Sequence, residues 1–157
     1  MKKKIIYISL IIISLFSFTG CNSKKDVNNN QNNTKIEKKD NNPNEVTSSV
    51  QAIINGKEYI IVLEDNETVK SFTNILPKEF NMSELNGNEK YVYLDKSLLT
   101  NPSNPKQINT GDVMLYGNNC LVIFYKSFET SYSYTKIGHI DNLPDLGNGN
   151  VIVKFEK

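Results

Sequence analysis

Chemistry in this 157-residue chain must come from few side chains: two Cys, one His and eight Tyr, with no Trp and no Arg. The cysteines are Cys21 and Cys120. A thiol can carry lipid, bind metal or attack a carbonyl, but two cysteines build neither a disulfide framework nor a zinc cluster. Cys120 opens the apolar run Cys120-Leu121-Val122-Ile123. It reads first as a small buried hydrophobe, with a reactive thiol or an intermolecular bridge as the alternative. His139 sits between Gly138 and Ile140 in a strand-like stretch without a Ser or Cys nucleophile motif beside it. It therefore reads as a surface or partly buried strand residue rather than a catalyst; a metal site there would need Asp141 and distant ligands. No glycine-rich phosphate loop is present. No catalytic residue, metal ligand or cofactor is expected.

The tyrosines are the stronger signal. Tyr91 and Tyr93 alternate, as do Tyr132 and Tyr134, so each pair faces one side of its strand. Phe124, Tyr125 and Phe128 lie near the second pair, and Asn86, Asn88 and Glu89 precede the first. Tyrosine joins broad apolar contact to a polar tip and suits a binding groove. The expected groove is lined by some of Met82, Tyr91, Tyr116, Phe124, Tyr132 and Tyr134, with Glu89 and Asn86 as polar determinants. The alternative is that these rings fill a core while the polar residues only shape turns, as Asn86-Gly87 readily does.

Short strands must position these residues. Gln51–Ile54 is apolar, Asn55-Gly56 is a hairpin turn, and Lys57–Leu63 alternates as the returning strand. Asp65 or Asn66 supplies an N-cap, and Val69, Phe72, Ile75 and Leu76 recur at helical spacing until Pro77. That spacing predicts a helix of about ten residues over one mouth or face of a sheet. Further strands are expected at Glu79–Met82, Lys90–Leu94, Asp112–Tyr116, Leu121–Tyr125, Thr135–Ile140 and Val151–Phe155, separated by Asn- and Gly-rich turns, with Thr100–Pro105 as loop. The fold class is mainly β: a small closed β-barrel of about eight strands with one helix, closure removing the exposed edges.

The first 49 residues of the chain are of another kind. Lys2, Lys3 and Lys4 precede a 14-residue uncharged run, Ile5–Phe18, shorter than the roughly 17–25 residues of a membrane span. It ends in Phe18-Thr19-Gly20-Cys21, which resembles the lipobox of bacterial lipoproteins with Phe in place of the usual Leu. The resemblance implies cleavage after Gly20 and diacylglycerol on Cys21, hence a lipid-anchored protein on the extracytoplasmic side of the cell membrane. Residues 1–20 are then the signal peptide, and residues 21–49 a lipidated Cys with its tether. Asn22–Ser49 holds nine Asn and five Lys and few apolar residues, a composition that cannot offset the entropy of ordering it. As a flexible coil its 28 residues would reach about 30 Å on average. Outside the leader lysines, 15 Lys face 17 Asp plus Glu, which argues against a nucleic-acid partner. Membrane lipid and a peptide, protein or small ligand are the expected partners of a monomer.

Taken together, Leu76-Pro77, Met82–Tyr91, Gly111–Gly117, Leu121–Tyr125 and Ser131–Gly138 resemble the bacterial cyclophilin-like domain family over residues 50–157. The resemblance implies an eight-stranded barrel with a helix and a groove on its outer wall. Cyclophilins themselves isomerise Xaa-Pro bonds with an Arg aimed at the twisting amide, beside a Trp and a His. This chain has neither Arg nor Trp, and its single His stands in a strand. The fold is expected without that chemistry. A binding module is therefore the first reading and a prolyl-isomerase-like folding helper the second.

Overall fold

The Asn55-Gly56 dipeptide makes the expected turn, both residues at positive φ, and joins β1 (Ser49–Ile54) to β2 (Lys57–Leu63). The structure, a computed structural model, describes residues 48–157. The expected signal peptide, the expected lipidation site Cys21 and the expected tether up to residue 47 lie outside them. Ser48 and Ser49, placed by composition at the end of the tether, belong to the domain. Ser48 accepts a backbone hydrogen bond from Leu63, and Ser49 pairs with Val62.

The helix α1 spans Glu67–Thr73 and is shorter than its apolar spacing predicted. Asn66 caps it, its side chain accepting from the Val69 N–H at 2.9 Å while its amide donates to the Lys136 carbonyl at 2.9 Å. Asn74 closes it before Pro77, which follows Leu76 through a cis peptide bond. Beyond lie β3 (Lys78–Leu85), β4 (Glu89–Tyr93), β6 (Asp112–Tyr116), β7 (Cys120–Phe124), β9 (Tyr134–Ile140) and β10 (Val151–Glu156). Eight antiparallel strands close in the order β1-β10-β3-β4-β7-β6-β9-β2, so the expected closed barrel is the architecture. β3 runs three residues past its expected end, carried by its pairing with β4. Two strands went unread, β5 (Gln107–Ile108) and β8 (Phe128–Glu129), which pair only with each other. Two residues are too few to show a period.

Inside the barrel, Ala52, Ile61, Met82, Val113, Leu115, Leu121, Ile123, Ile137, Val153 and Phe155 are fully buried. Phe72 of α1 plugs the mouth beside Phe155, the rings meeting edge to face at 5.5 Å. At the seam, Gly138 lets β9 approach β2: a Cβ there would lie 2.4 Å from the Val62 carbonyl oxygen. The opposite end of β3 is closed by a charge. Lys90 is fully buried, and its ammonium donates to the carbonyls of Gly147 at 2.5 Å and Gly149 at 2.6 Å, 4.8 Å from the centre of the Tyr125 ring. Burial lowers its pKa, opposed by Glu84 and Asp145. Tyr125 in turn donates to the Glu84 carboxylate at 3.3 Å, and burial, then Glu84, pushes its phenol up to about 12.

Lys90→Ala removes both a packed stem and the cation that satisfies two carbonyls. We expect a loss of about 3 kcal/mol in urea denaturation. Lys90→Met, which keeps the stem, should lose less.

Candidate functional site

Strand alternation sends every second residue of β4, β7, β6 and β9 out of the barrel wall. The register aligns these residues in rows. Tyr93, Cys120, Tyr116 and Tyr134 are successive partners across the four strands, and Tyr91, Val122 and Met114 form the next row, followed by Glu89 beside Phe124. Above them, the segments carrying Phe128 and Tyr132 close over the wall. A second apolar cluster forms outside the barrel from Ile108, Met114, Cys120, Val122, Phe124 and Tyr134, with Tyr91 and Phe128 packed against it.

What remains open is a cleft of about 320 Å³. Cys120 and Val122 form its floor. Tyr91 and Tyr93 form one wall, their rings edge to face at 5.9 Å. Tyr116, Tyr132 and Tyr134 form the other, with Tyr116 in contact with Tyr132 at 6.0 Å and with Tyr134 at 5.5 Å. Asn86, Asn88 and Glu89 bring polar atoms to it from the β3–β4 turn, with Leu85 beside them. Tyr93 (64% exposed), Tyr132 (60%) and Tyr116 (45%) are among the most exposed large apolar side chains of the domain. Tyr134 is buried behind them.

Six of the eight expected groove residues line this cleft: Asn86, Glu89, Tyr91, Tyr116, Tyr132 and Tyr134. Met82 does not. It points into the barrel and packs in the main core opposite Val151, because it shares the inward parity of Phe80 on β3. Phe124 faces outward but lies under the cleft, fully buried against Tyr134 at 5.5 Å and Phe128 at 5.6 Å. The rings thus divide between a lining and a support. Leu85, Cys120 and Val122 also line it and were missed, whereas Tyr93, Asn88 and Phe128 had been noted in the sequence but not placed in the lining. For Tyr93 the signal was present, since it shares parity with Glu89 and Tyr91. Cys120 and Val122 become visible only once β7 is known to lie between β4 and β6.

Glu89 is nine-tenths buried, and its carboxyl makes no hydrogen bond to any described residue. Burial raises its pKa, and the Glu84 carboxylate raises it further. The side-chain oxygen of Asn88 is fully buried and has no hydrogen-bond partner among the described residues. Burial, with Glu89 nearby, pushes the Cys120 thiol up to about 11, so it stays protonated and serves as floor. Burial likewise raises Tyr134, again with Glu89 contributing. His139 stands apart from the cleft, its Nδ1 at 3.1 Å from the buried Asp112 carboxylate and its Nε2 at 3.5 Å from Asp141. Asp112 also accepts from the Asn109 N–H at 2.8 Å, which makes it a turn anchor. Among the described residues, no three His, Cys, Asp or Glu side chains gather to hold a metal, and no helix is long and apolar enough to cross a membrane.

A closed antiparallel barrel plugged by one helix, with an aromatic cleft on its outer wall, defines a β-barrel of the cyclophilin type. The sequence model of the cyclophilin-like family matches residues 52–156, and the chain belongs to that family. No curated protein and no solved structure matches it significantly.

Glu89→Gln keeps the shape and removes a carboxyl that the fold holds above its ordinary pKa. A raised carboxyl favours the folded state below its unfolded pKa, and that contribution is lost as pH rises through the folded value. The parent should therefore lose stability over that window while Glu89→Gln does not, and the variant should have the higher Tm at pH 7.5. Thermal melts between pH 4 and 8 check both.

Proposed function

We propose that the domain is a binding module, held by lipid on Cys21 and a flexible tether on the extracytoplasmic face of the cell membrane, that captures a peptide, protein segment or small ligand in the tyrosine cleft. The observation that carries this reading is the cost the free cleft bears. Large aromatic faces stay open to water around Glu89, a residue nine-tenths buried whose carboxyl lacks a hydrogen-bond partner among the described residues. A ligand would cover the rings and pair the carboxyl. The membrane attachment rests on the lipobox-like Phe18-Thr19-Gly20-Cys21, and two or three acyl chains would anchor the protein stably.

Prolyl isomerisation does not fit the cleft lining. The barrier of roughly 18–20 kcal/mol falls when a donor engages the twisting amide. The lining contains no Lys, Arg or His, and Lys90 points to the other side of the wall.

Resonances of Tyr91, Tyr116 and Tyr132 are expected to shift when the protein meets ligand-bearing fractions of cell-envelope peptides, without acceleration of Xaa-Pro exchange in proline model peptides. Tyr132→Ala should weaken capture at least severalfold while costing under about 1 kcal/mol of stability, since the ring is mostly exposed. Strong isomerase activity would reverse the assignment. For the anchor, mass spectrometry of the native protein should find an acylated N-terminal Cys21. Cys21→Ser should move the protein from the membrane to the soluble fraction; an unmodified, salt-extractable native protein would refute it.

A further inference from the structure

We infer that the tyrosine cleft recognises a primary alkylammonium group, seated on the Glu89 carboxylate between the rings of the two tyrosine walls; this rests on the binding reading and specifies its ligand. Three features point the same way. The one carboxyl among the lining residues is that of Glu89, a residue nine-tenths buried whose carboxyl has no hydrogen-bond partner among the described residues. No cationic side chain lines the cleft, so nothing of the protein's own competes for the carboxylate. The walls are five tyrosine rings, whose faces carry the negative end of the ring quadrupole.

An ammonium of the lysine type has three donors and no acceptor, which complements this set. An anion would face the Glu89 carboxylate and find no cationic side chain in the lining. A neutral apolar group would cover the Glu89 carboxyl without pairing it, and a quaternary ammonium would suit the rings but give the carboxylate no hydrogen bond. A bare metal ion would find a single carboxylate. The neighbouring Lys90 does not serve the role, because its ammonium is held inside the barrel by Gly147 and Gly149. The same chemistry occurs on a lysine side chain in a polypeptide and on a free alkylamine.

The group that gains charge on binding is Glu89. The titratable groups around it are Glu84 from β3, Cys120 from β7, Tyr125 following β7 and Tyr134 from β9. Cys120, Tyr125 and Tyr134 stay protonated below pH 8. Affinity should therefore fall as pH drops through the raised Glu89 value, while the ligand amine stays charged throughout.

The test is titration of the protein, followed by tyrosine resonances, with Nα-acetyl-lysine methylamide against its Nε-acetyl derivative, and with n-butylammonium against n-butanol. Each charged probe should bind at least about tenfold tighter than its neutral partner. A preference shared by both pairs assigns the ammonium alone; a preference confined to the lysine derivative assigns a peptide-borne lysine. Glu89→Gln should remove the preference and its pH dependence, and Tyr116→Leu, which keeps bulk without the aromatic face, should reduce it severalfold. Melting curves establish that both variants are folded. Equal binding of charged and neutral probes overturns the ammonium inference and leaves the cleft as a binding site. So does an absence of binding by all four probes when envelope peptides still shift the tyrosine resonances. If neither probes nor peptides shift them, both readings fall.

Discussion

In a closed antiparallel ladder, parity decides which side of the wall a side chain occupies, and a strand cannot slip by one residue without exchanging its core for its surface. The rest of this structure follows from that constraint. It is sharpest at Glu89 and Lys90, adjacent in sequence and on opposite sides of β4. Lys90 goes inward, where two carbonyls, a ring face and Glu84 compensate its charge. Glu89 goes outward into an apolar cleft where nothing comparable is supplied. Neighbours of opposite charge would pair readily in a loop. Here the strand holds them apart, and the consequence is one buried ammonium with partners and one carboxyl without a hydrogen-bond partner among the described residues.

The outer wall carries a cleft because part of it is covered. β7 is buried along its whole length on both faces, Leu121 and Ile123 in the main core and Cys120, Val122 and Phe124 in the satellite cluster. A half-solvated antiparallel strand would show polar residues at those outward positions. The covering segments instead rest on Phe124 through Phe128 and Tyr134, which fixes the height of the far tyrosine wall. The cleft floor, Cys120 and Val122 beside Phe124, is therefore as buried as the core.

Most of the barrel was legible because its strands are short, punctuated by Asn and Gly, and rich in branched or aromatic residues. All eight barrel strands were found from these signals. The helix was overextended since Ile75 and Leu76 continue the helical spacing, although they pack against the core from beyond the Asn74 cap. The site was legible where alternation alone sufficed, at Glu89 and Tyr91, and where aromatic residues were dense, at Tyr116, Tyr132 and Tyr134. Met82 was misplaced because closeness in sequence to Asn86 outweighed its parity with Phe80. Cys120 and Val122 could not be read, since strand order, and thus which outward residues become neighbours, is a property of the closed sheet. Phe124 was found as an aromatic of the site, but its depth depends on a covering loop that shows no period.

The family supplies the barrel and a place on its wall, and the residues at that place decide the chemistry. Twisting a prolyl amide localises a lone pair on nitrogen, which a donor or a cation stabilises and a carboxylate repels. The cleft here offers the opposite sign. Its ionisable acid is the Glu89 carboxyl, no cationic side chain lines it, and the nearest lysine in sequence is held behind the strand. Replacing one side chain with Arg would not restore the missing donor, because Glu89 stands nine-tenths buried in the same cleft and would pair with it first. A cleft with a half-hidden carboxyl and no cation is thus poorly placed to stabilise a twisting amide, and the proposed cationic ligand would meet a complementary charge there.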